Sequence, residues 1–447
     1  MTNSLFLEKS IDEIHKLLKN RKLSIADIGK VTTERIKKSG EKYHAFTEYS
    51  EDTIQGKYNI QQKLFEQYGI VKPFTAIPIA IKDIFNTIDY KTQMGSPLWK
   101  DFMPGNDARV VYYLKNADGI IVGKTVTAEF AVHALNETLN PYDISKTPGT
   151  SSSGSAVAVA LGIVPIALGT QTAGSIIRPA SFCGVYGFKP SYGLIPRTGI
   201  LKTTDTLDTV GFFTTMVDNI KRIFDIVIVK GPNFPFSNSG LKASAQKIHN
   251  SQKQKVKIAF VKTYTWDDAY NYAQNSILKF INKIANCDLF DICETELPSV
   301  VQESHKIHEI IYDKCLSYYF VNEYKQKQLI SEMMNKMLEH GLSISTQEYI
   351  SAIRKQEEII CAMDKFFEHY DIILSLSTAG EAPNRNVCEN RDPCLIWTLS
   401  HLPAINIPIF YSPNGLPFGI QAVAKKYDDY MLINFCENLV KIIKQNG

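Results

Sequence analysis

The sequence predicts an α/β protein with a single large mixed β-sheet covered by helices on both faces. Short, fully apolar stretches typical of buried strands alternate with stretches of helical periodicity along the 447-residue chain. Apolar residues make up 44% of the chain and charged residues 21%, as in ordinary globular proteins. Strands that are apolar throughout need cover on both faces, and their alternation with helices is typical of α/β layers.

The chain begins with predicted helices and then a strand. Its first 65 residues show helical spacing of apolar side chains, as in SIDEIHKLLKN and SIADIGKVTTERIKK, with Ser10 and Ser24 at N-cap positions. Residues 76–82, AIPIAIK, form an apolar run rich in β-branched residues and predict a strand. Lys82 is therefore expected at a strand end, where the ligand sites of α/β folds cluster.

Two further helix–strand units follow. DARVVYYLKNA predicts a helix before the short strand GIIVG at 119–123, and SAVAVALG at 155–162 predicts a helix before the strand VPIAL. The apolar stretch 156–169 is interrupted by Gly162 and Pro165 and is too short to span a membrane. We therefore expect a buried helix followed by a strand, and no membrane partner.

The second half of the chain predicts the rest of the sheet. Residues 230–255 are polar and rich in Gly, Pro, Ser and Asn, which predicts a loop or insertion boundary. A strand is predicted at 256–262, followed by a mostly helical, charged stretch to about residue 369. YDIILSLS, PAINIPIF and PFGIQAVA are strand candidates, and an amphipathic helix is predicted from about residue 428. We expect these late strands to complete the sheet begun by the early ones.

Composition excludes several classes of function. The formal net charge is +3, with no basic stripe of the kind that direct nucleic-acid binding requires. Acidic residues precede any sustained apolar core at the amino terminus, so no secretory signal is expected. The eight cysteines form no CxxC pair and predict scattered thiols rather than disulfides or a metal site. A cytoplasmic protein without metal or cofactor is expected.

Several catalytic motifs fail on inspection. GIIVGKT has three residues between its glycines where a phosphate-binding loop needs four, and HEIIY at 308–312 has a tyrosine where a zinc-binding helix needs histidine. No GxSxG elbow is present. None of the nine histidines is close to Ser175 in sequence, although folding could still bring one near it.

Three stretches with the residues of serine catalysis remain: AIPIAIKD with Lys82, TPGTSSSGSAVAVALG from Thr147, and GTQTAGSIIRPASFCGVYGFKP from Gly169. A serine hydroxyl needs a base to attack a carbonyl, and a lysine is a base only when neutral. Burial lowers the lysine pKa toward that state. Small residues in TAGS also leave backbone N–H groups free for an oxyanion, although a glycine-rich loop that only makes tight turns fits the composition as well.

The three stretches resemble the amidase signature family, whose core motif runs from GGSSGGS through GTDTGGSIR to FCGVVGLKP. PGTSSSGSA and GTQTAGSIIRPASFCGVYGFKPSYG match it in order and spacing, and AIPIAIKDIFNT, QMGSP, DARVV, IIVGKTVTAEFA, NPYD and LDTVGFFT have family counterparts. The resemblance implies the amidase signature fold as one domain over 1–447. Its parts are a core at about 65–216, a variable, mostly helical region at about 217–369 and a sheet-completing part at about 370–447.

Carried over by position, the resemblance implies a serine–serine–lysine triad. Ser175 matches the nucleophile, Ser151 matches a bridging serine that follows a cis peptide bond, and Lys82 matches the base. A proton would pass from Ser175 through Ser151 to Lys82, and water would hydrolyse an acyl-enzyme. The implied oxyanion hole consists of four backbone N–H groups, those of Thr172, Ala173, Gly174 and Ser175.

Four positions depart from the family pattern. Gln171 stands where most members have an acid, and Ala173 and Ser153 each stand where a glycine is usual. Ala173 matters only if its φ is positive, and the Ser153 hydroxyl could join a polar network or face solvent. Arg178 comes one position later than the family arginine, so the role of that arginine is not transferred to it.

The expected function is hydrolysis of a small-molecule carboxamide by a free-standing amidase. One alternative is the glutaminase component of a tRNA-dependent amidotransferase, a branch that usually keeps GTDTGGSIRQPA where this chain has QTAGSIIRPA. Another is a catalytically silent relative. The sequence leaves a homodimer open.

The substrate pocket is expected between residues 216 and 370 and at 377–397. Tyr312, Tyr318 and Tyr319 could line it, but aromatic residues on a helix favour core packing.

Overall fold

The computed structural model describes residues 5–229, 234, 237–242, 244, 255–387 and 391–445. Within these residues eleven strands form one mixed sheet. In chain order the strands are Phe46–Glu48 (β1), Pro78–Lys82 (β2), Ile120–Thr125 (β3), Ile166–Gln171 (β4), Tyr186–Lys189 (β5), Thr209–Thr214 (β6), Val256–Val261 (β7), Phe290–Thr295 (β8), Ile372–Leu376 (β9), Ala404–Tyr411 (β10) and Pro417–Ala424 (β11). Their order across the sheet is β1-β3-β2-β4-β6-β5-β10-β11-β9-β7-β8.

Helices account for most of the remaining described chain. The α-helices are Leu5–Glu8 (α1), Ile11–Lys19 (α2), Ile25–Arg35 (α3), Glu51–Tyr68 (α4), Arg109–Asn116 (α5), Ser153–Ala160 (α6), Ile177–Phe182 (α7), Asp218–Val227 (α8), Asn271–Ile284 (α9), Ser304–Tyr319 (α10), Val321–Tyr324 (α11), Glu332–Ser343 (α12), Thr346–Phe366 (α13), Cys394–Leu399 (α14) and Asp429–Gln445 (α15). Ser10 and Ser24 cap α2 and α3 as predicted, each accepting a hydrogen bond from a backbone N–H of the first turn.

The late strands complete the early sheet, as the sequence predicts. β2 lies between β3 and β4 and is parallel to both. β4 pairs with β6, and β6 with β5, in antiparallel register. β10 then pairs with β5, placing Ala404 opposite Lys189, and β11 carries the sheet on to β9. An α/β fold with one large mixed sheet is therefore confirmed.

Four strands were not expected from the sequence: β1, β5, β6 and β8. β5 and β6 lie inside the sheet, and each has a glycine within a short run that the sequence analysis did not assign to a strand. β1 falls within the amino-terminal stretch predicted to be helical, and β8 falls within the charged stretch predicted to be mostly helical. β1 and β8 are the two outermost strands of the sheet. An edge strand needs no continuous apolar run, because much of it stays in water, and only the first residue of β8 is fully buried. The predicted loop at 230–255 lies largely outside the described residues.

The middle of the sheet is completely covered. Every residue of β2, β3 and β4 is buried, and α6 packs against all three strands. α7 packs against β5, β10 and β11.

The seven cysteines of the described chain are free thiols. Among the described helices, none has the length and apolar character needed to cross a membrane.

Candidate active site

Three neighbouring elements carry the predicted catalytic residues. Lys82 is the last residue of β2, at the strand end that the sequence predicts. Ser151 lies just before α6, and Ser175 lies in the turn that joins β4 to α7. Since β2 and β4 run parallel side by side, both strands end at the same edge of the sheet. This edge brings the predicted base close to the serine-bearing segments.

The Lys82 amine is completely buried among hydroxyl groups. Its Nζ lies 2.7 Å from Ser151 Oγ, 3.0 Å from Ser152 Oγ and 3.0 Å from Thr170 Oγ1. Burial lowers the pKa of this amine to about 7, although the negative charge of Asp208 acts in the opposite direction. No carboxylate of the described chain forms an ion pair with Lys82. The surroundings therefore favour a neutral amine near physiological pH.

The segments that carry the two serines are tied together. The peptide bond between Thr150 and Ser151 is cis, as the family resemblance implies. Arg178 Nη1 donates to the carbonyl of Thr150 at 3.1 Å and to its Oγ1 at 3.0 Å. Ser152 Oγ donates to the carbonyl of Thr170 at 3.2 Å. Within the described residues no hydrogen bond joins Ser175 Oγ to Ser151, so a proton transfer between them requires a closer approach when substrate binds.

The loop after β4 presents backbone donors. No residue of the described chain accepts a hydrogen bond from the amide N–H of Ala173, Gly174 or Ser175. Ala173 is not among the described residues with positive φ, so the alanine in place of the family glycine introduces no backbone strain. Three successive N–H groups of this loop therefore have no acceptor within the described chain.

Gln171, at the acid position of the family, makes three polar contacts. Its Oε1 accepts hydrogen bonds from the backbone N–H groups of Ile176 and Ile177, at 2.8 Å and 2.9 Å. Its Nε2 donates to Thr398 Oγ1 at 2.9 Å. A neutral amide thus satisfies the first N–H groups of α7 without placing a charge beside Ser175.

Ser153 joins a polar network rather than facing solvent. It is buried, its Oγ accepts a hydrogen bond from Asn136 at 2.8 Å, and it donates to Thr138 Oγ1 at 3.3 Å. The network alternative from the sequence is therefore confirmed.

Arg178 forms a buried ion pair at the edge of the loop. Its Nε donates to Asp392, and both side chains are buried. A Cβ on Gly174 would lie 2.6 Å from Asp392 Oδ2 and 2.9 Å from Arg178 Nη2. Glycine at 174 therefore lets the ion pair pack directly against the loop that carries Ser175. The sequence predicted no partner for Arg178.

A cavity of about 910 Å³ opens beside this loop. Thr150, Ala173 and Arg178 lie in its wall, whereas Ser175 itself does not. The rest of the wall comes largely from the variable regions named from the sequence: His305, Lys306, His308, Glu309, Tyr312, Asp313, Met333, Met337, Arg385, Asn386, Val387, Arg391, Asp392 and Leu395, together with His133, Leu135 and Thr147. The cavity therefore borders the loop that carries Ser175 and the residue before Ser151, while Lys82, Ser151 and Ser175 are not part of its wall.

Only one of the three tyrosines singled out in the sequence lines this cavity. Tyr312 is buried and lies in the cavity wall. Tyr318 is 75% exposed, and Tyr319 donates a hydrogen bond to Asp205 at 2.6 Å. The expectation of core packing is therefore wrong for Tyr318, which lies on the outer face of α10.

Three histidines in the cavity wall, the buried His308 and the half-buried His133 and His305, were not among the site residues predicted from the sequence. Burial lowers the pKa of His305 and His308 to about 4 and lowers the pKa of His133 well below its usual value. These rings are therefore neutral at physiological pH. His308 Nε2 lies 2.8 Å from the carbonyl oxygen of Thr172 in the loop. No motif marks any of these histidines, because they reach the cavity only through folding.

Known structures share this architecture. One, described as a vestigial protein complex that reveals the evolutionary origins of an s-triazine catabolic enzyme, superposes with a TM-score of 0.85 at 20% identity, covering 95% of this chain and 96% of that chain. The native peptide amidase from Stenotrophomonas maltophilia superposes with a TM-score of 0.80 at 21% identity, covering 95% of each chain. At this identity the likeness establishes the fold, which defines the class of the protein as α/β with the amidase signature fold.

Sequence comparison gives the family. A family model described as Amidase matches residues 29–433, and the chain therefore belongs to the Amidase family. Among curated relatives, a glutamyl-tRNA(Gln) amidotransferase subunit of Sulfurihydrogenibium sp. (strain YO3AOP1) is 27% identical over 468 residues, covering 95% of each protein. The protein is accordingly an enzyme, a hydrolase that acts on carbon–nitrogen bonds of amides. Both the predicted family and the predicted fold are confirmed.

Proposed function

We propose that the protein hydrolyses the carbon–nitrogen bond of a small carboxamide through an acyl intermediate on Ser175. The observation that carries the proposal is the buried Lys82 amine, which lies 2.7 Å from Ser151 Oγ and has a pKa of about 7. A neutral amine in this position can take a proton from a serine hydroxyl. The adjacent cavity, about 910 Å³, is within the usual range for small-molecule sites.

The hydroxyl groups around Lys82 support a definite direction of proton transfer. Ser152 Oγ uses its single hydrogen on the carbonyl of Thr170, so it can only accept from the amine. We infer that the neutral amine donates its two N–H bonds to Ser152 and to Thr170 Oγ1. The nitrogen lone pair is left facing Ser151, which can pass on a proton received from Ser175.

The proposed reaction balances without a cofactor. Ser175 Oγ bonds to the amide carbon while its proton moves through Ser151 to Lys82, and the loop N–H groups donate to the oxyanion. The carbon–nitrogen bond then breaks as the proton returns to the departing nitrogen. Water attacks the resulting ester, giving the carboxylic acid and free Ser175.

The direct test is Ser175→Ala, assayed by ammonia release from a panel of carboxamides. We expect turnover to fall by about 10³-fold or more, because the nucleophile is lost. Ser400→Ala is the matched control, since Ser400 is also buried and donates only to the carbonyl of Ile396 at 2.7 Å. Turnover that is the same in Ser175→Ala and in the unaltered chain would contradict the proposal.

A second function is favoured by the curated relatives. Several of them are glutamyl-tRNA(Gln) amidotransferase subunits at 26–28% identity, whose counterpart here would deliver ammonia to a partner protein. Affinity purification from native cells, followed by a glutaminase assay, separates the two functions. A stoichiometric partner protein with glutaminase activity would support the amidotransferase. Carboxamide hydrolysis by the isolated chain would support the free-standing amidase.

If the protein is a catalytically silent relative, labelling with a serine-reactive probe distinguishes it from both catalytic functions. A fluorophosphonate probe forms a bond only with an activated serine, and mass spectrometry locates the adduct. An adduct on Ser175 supports either catalytic function, and its absence supports the silent alternative.

A further inference from the structure

We propose that His308 and the pair formed by Gln171 and Thr398 are positioning residues that aim the N–H groups of Ala173 and Gly174 at the reacting oxygen. This inference rests on the proposed function, because it concerns the oxyanion formed there. It goes further by assigning a task to three side chains that come from outside the loop itself.

The argument begins with the planar peptide bond. In a trans peptide the carbonyl of one residue points opposite to the N–H of the next residue. Fixing the carbonyl of Thr172 therefore fixes the direction of the Ala173 N–H, and fixing the carbonyl of Ala173 fixes the Gly174 N–H. In the structure, both carbonyls accept a hydrogen bond from a buried side chain. The N–H groups on the opposite side of these peptides have no acceptor within the described chain.

His308 holds the first of these peptides. Its Nε2 lies 2.8 Å from the carbonyl oxygen of Thr172, and a carbonyl can only accept, so Nε2 carries the hydrogen. The ring is buried, and it belongs to α10, in the variable region of the chain. It also lines the cavity, so the group that holds the loop is within reach of a bound substrate.

Thr398 holds the second peptide, and Gln171 fixes its direction. Thr398 Oγ1 donates its only hydrogen to the carbonyl of Ala173 at 2.7 Å, so it must accept from Gln171 Nε2 at 2.9 Å. Both side chains are almost completely buried. A carboxylate at position 171 could not make this donation. It would compete with Ala173 for the Thr398 hydrogen.

The test compares variants that lose a donor with variants that keep it. We expect Thr398→Val and His308→Phe each to lower kcat by about 10- to 100-fold, somewhat less than the loss of a whole oxyanion-hole donor. KM should stay within about threefold, since the oxyanion forms only in the transition state. Thr398→Ser and His308→Gln keep a donor and should restore most of kcat. Gln171→Glu should lower kcat in the same way as Thr398→Val.

Matched controls remove similar buried hydrogen bonds elsewhere. Ser400→Ala removes a hydroxyl just beyond α14, the helix that carries Thr398. His15→Phe removes a buried ring that lies 3.0 Å from the carbonyl of Thr75. Both controls should keep kcat. Thermal unfolding of every variant shows which ones fold, and if His308→Phe does not fold, the comparison of Thr398→Val with Thr398→Ser carries the test.

The outcomes separate the inference from the proposed function. Ser175-dependent turnover that is unchanged in Thr398→Val and His308→Phe would overturn the positioning role and leave the amidase proposal standing. Equal losses of kcat in the donor-keeping and donor-removing variants would also overturn it, because packing alone would then explain the effect. Turnover that does not depend on Ser175 would overturn both proposals.

Discussion

Lys82 is a buried amine surrounded by hydroxyl groups instead of carboxylates, and this environment determines its expected behaviour. Taking an ammonium out of water without a counter-ion disfavours the charged form, which lowers the pKa to about 7. The buried Lys124 provides a contrast, since its Nζ lies 2.8 Å from Asp83 Oδ1 in an ion pair. Of these two lysines, only Lys82 has the surroundings of a base.

The pKa of Lys82 predicts the pH dependence of the reaction. Raising the pH removes the proton from Lys82 and produces the active base, so kcat/KM should rise through a midpoint near pH 7 and level off above it. Below the midpoint it should fall by about tenfold per pH unit. The measurement is kcat/KM between about pH 5 and pH 9.

Two other groups test this assignment. His308 has a pKa of about 4, so a rise in kcat/KM caused by deprotonation of that ring would lie well below pH 7. Lys189 also has a pKa of about 7, but its amine donates to the carbonyls of Pro190 and Leu402 and not to a serine.

Lys82→Arg keeps a charge but supplies no base and should abolish turnover. A profile that stays flat well into acid would exclude Lys82 as the base.

The residues of the candidate site differ in how far they could be predicted from the sequence. Ser151 and Ser175 lie in contiguous motifs and Lys82 ends an apolar strand, so the family resemblance predicts roles for all three from the sequence. Thr398 reaches the loop across 225 positions of sequence, and His308 across 136 positions. No local pattern marks them, because their contacts come from the packing of α10 and α14 around the loop.

At the scale of elements, α6 is held unusually close to its neighbours. Its residue Gly154 donates a backbone hydrogen bond to the carbonyl of Val126 at 3.2 Å. A Cβ on Gly154 would lie only 2.5 Å from the backbone nitrogen of Val126. Because Ser151 immediately precedes this helix, the close packing of α6 also sets the distance between Ser151 and Lys82.

Gly154→Ala should therefore destabilise the protein and reduce its activity. Overpacking against backbone atoms costs about 1 to 3 kcal/mol, because the backbone cannot move aside cheaply. Gly56→Ala, in the middle of α4, is the matched control, since nothing lies within 4 Å of its Cβ position. The control should gain about 0.5 to 1 kcal/mol in free energy of unfolding. Denaturant unfolding measures the free energy of unfolding of both variants. Equal stability of Gly154→Ala and Gly56→Ala would contradict the packing argument.

Seven of the eleven strands could be predicted from the sequence, whereas the two edge strands β1 and β8 and the inner strands β5 and β6 could not. Apolar runs such as 76–82 mark strands buried on both faces. β1 and β8 carry no such run, since their stability comes from pairing with β3 and β7. The cavity wall was predicted only by region, because the packing of the variable helices selects which of their side chains face inward.

The topology predicts that the early and late parts of the chain form one folding unit. β10 and β11 lie between β5 and β9, so the carboxyl-terminal part fills the middle of the sheet and does not extend its edge. α14 in the same part supplies Thr398 to the Ser175 loop. A chain ending at residue 369 would leave the apolar faces and backbone groups of β5 unpaired on one side.

We therefore expect residues 1–369 alone to show no cooperative unfolding transition. Co-expression with residues 370–447 should restore both the transition and Ser175-dependent turnover, because the missing strands can pair with β5 in the same register. Circular dichroism during heating measures the transition, and ammonia release measures turnover. Cooperative unfolding of residues 1–369 alone would mean that the early strands form a stable sheet by themselves. The protein would then be two folding units and not the single one that we predict from its strand order.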